Sequence, residues 1–349
     1  MLSRFFRDFQ GDVVAIPGRL IALVFFVLLF FIPLFVQQPY ILRTLIFANM
    51  FVIFAVSWDF ISGYTGQVNF GHALFFGVAA YTSAMLNRGA PLGPDWPIWA
   101  TIPIGAIAAT VAGVLMCLPA LRLRGPYLAL VTLAFPLILT GIIFANTQFT
   151  GGELGIPNLD RISESRTTDY YISLVVMLFS VFIMWKFTDA RSGLIRTGII
   201  LHAIREDEIA ARASGINTIR YKLFAFIVGG FFAGVAGGLY AHFMRIAGPS
   251  TLELTLSFQA IIWTVFGGIV SIYGAVVGVY FLYPLMEFLR VVPEFRMLIF
   301  AGIVVIILLF MPEGIAVWIR DKLERECPRC KLTNVWWRST CRACSASLH

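Results

Sequence analysis

Four of the five cysteines of this 349-residue chain fall in one stretch, "CPRCKLTNVWWRSTCRAC", as Cys327, Cys330, Cys341 and Cys344. Two C-x2-C pairs stand ten residues apart. Each pair can grip a metal from a tight knuckle, and four thiolates complete a closed tetrahedral shell. A closed shell leaves no position for substrate, so the chemistry it suits is structural zinc and not catalysis. A unit this small needs the metal in order to fold, and Trp336 and Trp337 could supply its miniature core. Disulfides and an iron tetrathiolate are the alternatives, and the cytoplasmic placement argued below keeps thiols reduced. Arg329, Lys331, Arg338 and Arg342 give the tail a basic surface, fit for solvent, a partner protein, lipid headgroups or nucleic acid. Cys117 stands alone in an apolar run and suits burial.

A second polar set sits between long apolar runs, in "GYTGQVNFGH", Gly63–His72. Thr65, Gln67, Asn69 and His72 offer hydroxyl, amide and imidazole groups without a fixed charge. Such groups could line a path for a zwitterionic solute. Gly63, Gly66 and Gly71 would loosen a helix here, and a broken membrane helix presents free backbone groups and a helix N-terminus to solute. The same residues serve equally well as a turn between two spans. Asn49 and Asp59 lie in the preceding run. An acidic residue inside a membrane helix is costly and often functional, but Asp59 falls near the end of its run, where it can reach water or cap a neighbour.

A third set is charged. The stretch "GIILHAIREDEIAARASGINTIRYK" holds Glu206, Asp207, Glu208, Ala210, Ala211 and Gly215. It has room for two short helices, the first over Ile199–Ser214 and ended by Gly215, a good C-terminal cap residue. Glu208 and Arg212 form a favourable i,i+4 pair, while Ile204 and Ala211 leave a small apolar face. A short amphipathic helix beside a bundle of spans is a natural docking knob for a soluble subunit, with a solvated connector as the plainer alternative.

The elements that position these groups follow from composition. The chain is 59% hydrophobic and 13% charged, with mean hydropathy +0.85. A soluble domain carries about a quarter charged residues, so the expected fold is an all-α polytopic membrane protein. Candidate spans are 20–36, 40–61, 68–86, 97–118, 126–145, 170–187, 223–243, 256–269, 274–290 and 297–312. The short pair 256–269 and 274–290 reads as two tilted spans or one broken element, giving eight to ten crossings. The apolar run after Arg19 has no small-residue cleavage site behind it and reads as a permanent span.

The net charge of +7 is carried in loops and marks topology; no nucleic-acid partner is expected. With ten crossings and the N-terminus inside, six of the 26 Lys and Arg fall outside, Arg43 is left unassigned, and the other 19 face the cytoplasm. This bias predicts both termini in the cytoplasm, with Trp96 and Trp99 in the outer interfacial belt and Trp185 in the inner one. The longest outer loop, 146–169, has the length to meet an external partner or to act as a plain connector. Within 223–243, Gly230, Gly234 and Gly238 share one helical face, and Gly229, Ala233 and Gly237 form a second small-residue ridge. Such ridges let helix backbones approach closely, here in this chain or against another subunit. The expected organisation is a cytoplasmic segment 1–19, a membrane domain 20–316 with a cytosolic loop 188–221, a linker 317–326 and a ribbon-like tail 327–349.

Several strings, in order, carry a resemblance. They are "GYTGQVNFGHALFFGVAAYTSAML", "LRLRGPYLALVTLAF", "AIREDEIAARASGI", "YKLFAFIVGGFFAGVAGGLYA", "FGGIVSIYGAVVGV" and the closing "MPEG". Together, over residues 40–316, they resemble the membrane permease subunits of branched-chain amino-acid ABC importers. The resemblance implies a pseudo-symmetric helical bundle that works with a second permease subunit, two cytosolic ATPases and an extracytoplasmic solute-binding protein. It places the chain in a bacterial or archaeal plasma membrane. It implies that Gly63–His72 lies near the translocation path and that the charged loop couples to the ATPases. In the general importer pattern Glu-Ala-Ala, three residues, then Gly, this chain matches at Ala210, Ala211 and Gly215, with Ile209 where the pattern has Glu. Trp58-Asp59 stands ahead of Gly-Tyr-Thr-Gly where many relatives resemble Leu-Asn, and the cargo stays open: branched-chain amino acids, other amino acids, or urea and short amides.

The chain has no Walker A glycine loop, so it is expected to be no enzyme and ATP is expected to act through partner subunits. A secondary transporter would need ion-coupling carboxylates in mid-membrane, and a membrane-tethered zinc-ribbon scaffold would use the spans only as an anchor. The four-cysteine tail is outside the resemblance.

Overall fold

The computed structural model describes residues 17–88, 95–120, 126–189, 197–330, 333–335, 338–341 and 344–347. The N-terminal segment as far as residue 16, loop residues 190–196, and Lys331, Trp336, Trp337 and Arg342 of the tail lie outside the described residues.

Apolar runs of helical length form helices because lipid offers no partner for backbone N–H and C=O groups. The membrane part comprises α1 (Pro17–Phe35), α2 (Pro39–Trp58), α3 (Ala73–Asn87), α4 (Ile98–Ala120), α5 (Pro126–Ala145) and α6 (Arg166–Thr188). It continues, after a short pair α7 (Thr197–Glu206) and α8 (Glu208–Ala213), with α9 (Thr218–Met244), α10 (Leu254–Gly267), α11 (Ile272–Phe288) and α12 (Arg296–Phe310). A short α13 (Ile315–Leu323) leads into the tail. Among the described residues seven helical stretches are long and apolar enough to cross a membrane, and Leu23–Phe35, α3 and α10 are shorter apolar helices.

α2 lies at the centre, buried along most of its length, whereas the stretch containing α12 is almost wholly exposed and suits a lipid-facing position. Asn49 of α2 donates to Ser173 of α6 at 2.9 Å and accepts from the Tyr280 hydroxyl of α11. This buried triad ties three helices where the alternative partner would be hydrocarbon.

The small-residue ridges of α9 pack within this chain. A Cβ on Gly234 would lie 2.8 Å from Ala106 Cα of α4, and one on Gly238 would lie 3.2 Å from an Ile102 methyl. Gly230 faces the Phe75 ring of α3, and Gly237 faces the Phe76 carbonyl. The second ridge meets α2 as well, since Gly229 approaches Ile61 and the Ser57 carbonyl. Small residues thus bring α9 against α2, α3 and α4 at once.

Three expectations need correction, and one pair of alternatives is decided. The span expected over 68–86 begins only at Ala73, because 66–72 is irregular. The cytosolic helix expected over Ile199–Ser214 is two helices. Asp207 interrupts it with an extended backbone and accepts from the Ile209 and Ala210 amides at 2.8 and 3.0 Å, so it caps α8. Of the two alternatives for 256–290, two spans or one broken element, the chain forms two helices in an antiparallel hairpin, with Gly267 of α10 facing the Gly274 carbonyl of α11 and Gly278 of α11 facing the Trp263 carbonyl of α10. Ile204 and Ala211, the expected docking face, are buried against the bundle.

The loops after α5 and α9 interlock. Strand β1 (Ile156–Pro157) pairs antiparallel with β2 (Ile246–Ala247), and Arg245, with φ of 61°, donates through Nε to the Leu159 carbonyl at 3.0 Å. The 146–169 loop is therefore pinned to the bundle while leaving Leu154 largely exposed.

Candidate functional site

The end of α2 widens into a π-helical turn, Asp59–Gly63. Such turns shift side chains out of the regular helical register and recur at functional sites. Here the turn aims Asp59 at the α10–α11 hairpin. Its two carboxylate oxygens accept from the Val270 and Ser271 amides at 2.9 and 3.1 Å. Asp59 therefore caps a neighbouring helix, one of the two roles open to it from sequence. The cap holds Val270 at φ of 62°, a left-handed conformation costly for a β-branched residue. Gly63 must be glycine, because a Cβ there would collide with the Asp59 carboxylate.

Past this turn the chain runs irregularly from Gly66 to His72, yet it is mostly buried. Buried irregular backbone requires partners, and the polar side chains of the stretch supply them. Asn69 accepts from the Gly71 amide at 2.9 Å, its own amide N–H donates to Ser62 Oγ at 3.2 Å, and its carbonyl accepts from the Trp58 indole at 2.7 Å. His72 Nε2 lies 2.9 Å from Ser57 Oγ and 3.1 Å from the Phe54 carbonyl. A carbonyl only accepts, so Nε2 carries the hydrogen. Thr65 donates back to the Ile61 carbonyl at 2.5 Å. Thr132 of α5 accepts from the Phe70 amide at 3.1 Å, and Ser257 of α10 accepts from the Ala73 amide at 2.8 Å.

Three of the four polar residues singled out in sequence, Thr65, Asn69 and His72, thus hold the irregular stretch together. Gln67 differs: it is buried, and its Oε1 has no hydrogen-bond partner among the described residues.

The charged segment packs directly on this stretch. The Tyr64 ring meets the His202 imidazole of α7 edge-on at 5.4 Å. Gly66, at φ of 71°, lies against Arg205, whose Cγ would be 3.5 Å from an added Cβ. α8 ends in a Schellman motif, with the Gly215 amide bonded to the Arg212 carbonyl at 2.9 Å and the Ile216 amide to the Ala211 carbonyl at 3.1 Å. Gly215 adopts φ of 84°, as that motif requires.

Glu208 points inward. Its Oε2 pairs with Lys222 of α9 at 2.8 Å, and its Oε1 pairs with Arg212 at 2.5 Å and accepts from Thr218 at 3.2 Å. Burial raises its pKa, but the Lys222 and Arg212 charges outweigh that and hold the carboxyl below the usual carboxylate range. Lys222, whose side chain is 8% exposed, is the partner that sequence reasoning missed; its place near the start of an apolar span was the available signal. The outward face of the segment carries Ile209, 68% exposed, with Glu206, Asp207, Ala210 and Gly215 exposed around it.

The tail brings its four cysteines together. Strand β3 (Glu324–Glu326) pairs antiparallel with β4 (Thr333–Val335), and the four Sγ atoms lie within 4.8 Å of one another. Cys327 and Cys344 are 3.5 Å apart, as are Cys330 and Cys341, far beyond a disulfide bond. A tetrahedral zinc with Zn–S bonds of about 2.3 Å separates its sulfurs by about 3.8 Å, so the donor set fits a metal of that kind. The backbone amides of Cys330 and Arg329 hold the Cys327 thiol below its ordinary pKa, and Asn334 donates to Cys341 Sγ at 3.6 Å. These are the supports a metal-bound thiolate needs.

Comparison with known proteins gives the family. The family model described as branched-chain amino acid transport system / permease component matches residues 40–309. The high-affinity branched-chain amino acid transport system permease protein LivM of Escherichia coli K12 is 30% identical over 306 residues, 79% of this chain and 69% of that protein. LivH of the same organism is 25% identical over 301 residues, 80% of this chain and 95% of that protein. A probable LivM permease of Methanocaldococcus jannaschii is 23% identical over 268 residues, 67% of this chain and 77% of that protein. No solved structure matches the chain. The helical bundle, its irregular buried stretch and the segment packed upon it therefore belong to a multi-pass membrane protein of the family of permease components of branched-chain amino acid transport systems.

Proposed function

We propose that this chain is one of two permease subunits of an ATP-driven importer that carries branched-chain amino acids inward across the plasma membrane. The α7–α8 segment is the element gripped by a cytosolic ATPase, and an extracytoplasmic binding protein delivers the solute. The observation that carries this reading is the direct packing of α7 on the irregular stretch, through Tyr64 with His202 and Gly66 with Arg205. Movement of α7 has a short, rigid route to the region of Gln67.

Exposed Ile209, at the end of a stiff two-helix lever, is an apolar knob for the ATPase. Glu206, Asp207, Ala210 and Gly215 frame it, and Glu208 and Ala211 anchor the lever from inside. Both termini face the cytoplasm in this reading, in agreement with the basic bias of the loops. ATP is bound and hydrolysed by the partner subunits alone. A secondary transporter is disfavoured, since Asp59 is committed to capping α11 and is not free to couple an ion.

The zinc-ribbon-like tail, residues 327–349, binds one structural zinc through Cys327, Cys330, Cys341 and Cys344. Segment 1–19, membrane domain 20–316 and linker 317–326 complete the organisation.

The test is reconstitution in liposomes with a second permease, the ATPase pair and the binding protein. ATP-dependent uptake of radiolabelled leucine is expected. Uptake that proceeds without the ATPases would overturn the reading, as would failure of an Ile209→Cys variant to cross-link through its new thiol to an ATPase.

A further inference from the structure

At the end of the bundle opposite α7–α8, the ends of α2, α9 and α11, with Gln259 of α10 and Arg296 of α12, border an open cavity of about 250 Å³. We propose that this cavity is an entry subsite for a single zwitterionic amino acid with an apolar side chain, its carboxylate held by Arg43 and its ammonium by Glu287. The inference rests on the importer reading above and adds to it a recognition site within the permease itself.

The size suits one small solute. Pockets for drug-sized ligands run from about 300 Å³ upward, and this one is smaller, so a peptide does not fit. One wall is aromatic. Phe47 and Phe51 of α2 meet Tyr240 of α9 and Tyr283 of α11, with Phe47 5.6 Å from Tyr240 and Phe51 5.0 Å from Tyr283. Four rings offer an apolar slot for an aliphatic side chain, and their faces also attract an ammonium group.

The charges are placed at the rim. Arg43 stands in the first turns of an apolar span, where a guanidinium is costly, and it has no carboxylate partner among the described residues. Its guanidinium lies over the Phe47 ring at 5.5 Å, and its NH2 reaches Met244 Sδ at 4.0 Å. Neither contact uses the bidentate fork that matches a carboxylate. Glu287 of α11 lines the same cavity. Arg290 and Tyr40 both bond its Oε2, at 3.2 and 3.4 Å, which leaves Oε1 without a partner among the described residues. Arg290, paired with Glu287, and Arg296, which donates to the Met286 carbonyl at 3.1 Å, line the cavity as well. The unpaired Arg43 guanidinium and the half-used Glu287 carboxylate beside aromatic rings are the complement of an α-amino acid, and the rings would strip water from a second carboxylate, so dicarboxylic acids are disfavoured.

The experiment is equilibrium dialysis of the full chain in lipid nanodiscs against radiolabelled L-leucine. Saturable binding is expected, competed by isoleucine and valine and not by L-glutamate or urea. Loss of a charge-assisted contact should weaken it roughly ten- to hundred-fold in Arg43→Gln and in Glu287→Gln. Arg43→Lys should recover part of the loss, and Arg166→Gln, remote from the cavity, should bind like the parent protein. Absence of saturable leucine binding up to about 10 mM would overturn the proposal. Equal competition by L-glutamate, or binding indifferent to both rim variants, would also overturn it. These failures are separable from failure of the importer reading. ATP-driven leucine uptake by the reconstituted complex with unaltered rates in both variants would leave the importer standing and remove the subsite.

Discussion

The ring of Tyr64 stands edge-on to the imidazole of His202, with 5.4 Å between their centres. One residue directly follows the π-helical turn and precedes the irregular stretch, and the other lies on the segment proposed to meet the ATPase. Replacing His202 with Ala removes the contact and leaves the exposed face of α8 untouched. ATP hydrolysis by the reconstituted importer should persist while leucine uptake falls about tenfold, a loss of roughly 1.4 kcal/mol in coupling. Paired measurements of hydrolysis and uptake check this. Equal loss of both would show that His202 serves docking and not transmission.

Glu208 and Lys222 staple the lever to α9 at 2.8 Å. Lys222 is nearly buried, so removal of its partner leaves a charge in poor solvent. Glu208→Gln should loosen α8 by about 2 kcal/mol, less than for a fully buried pair because Glu208 is partly exposed. Hydrogen exchange of the 208–216 amides should accelerate accordingly, and the double variant Glu208→Gln with Lys222→Met should recover much of the protection.

The same pair gives a pH dependence. The folded pKa of Glu208 lies below its unfolded value, because Lys222 and Arg212 outweigh the opposing effect of burial. Its contribution is complete above the unfolded value of about 4.3 and is lost as pH falls through the lowered folded value. Protection of α8, corrected for intrinsic exchange, should stay level from about pH 8 to about pH 5 and decline only in stronger acid. A decline centred near neutrality would contradict the assignment.

Asp59 and Val270 make a strained joint, with the carboxylate bonded to the amide of a residue at φ of 62°. Asp59→Ala should destabilise the protein by about 1–3 kcal/mol, since it strands two partly buried amides and removes the clamp on the hairpin turn. Val270→Gly should stabilise it by about 1 kcal/mol, because glycine accepts that conformation. Thermal unfolding in detergent reads both, in opposite directions.

The tail should carry one zinc per chain, measured by metal analysis of purified protein. Cys341→Ser should abolish it, and a chelator should unfold the β3–β4 hairpin without altering the spectroscopic signature of the membrane helices. Normal metal content in Cys341→Ser would refute a four-thiolate site.

Much of this protein is legible in its residues alone. Runs such as Leu254–Gly267 and Thr218–Met244 must be helical wherever they sit in lipid, because no other local structure satisfies their backbone. The four-apart glycines of α9 announce close packing because helical geometry puts them on one face, and the paired C-x2-C spacing announces a metal knuckle because two thiolates that near can share one ion. What remained open was which groups face one another. Asn69 and His72 look like solute ligands in sequence, yet in the fold they hold irregular backbone. Glu208 looks like a docking charge, yet Lys222, fourteen residues on, draws it inward. Arg43 and Glu287 stand 244 positions apart and line one cavity only because α2, α9 and α11 pack side by side. Local sequence sets the period and polarity of each helix, but the partner of a buried polar group is decided by long-range packing, where the cost of leaving it unsatisfied is highest.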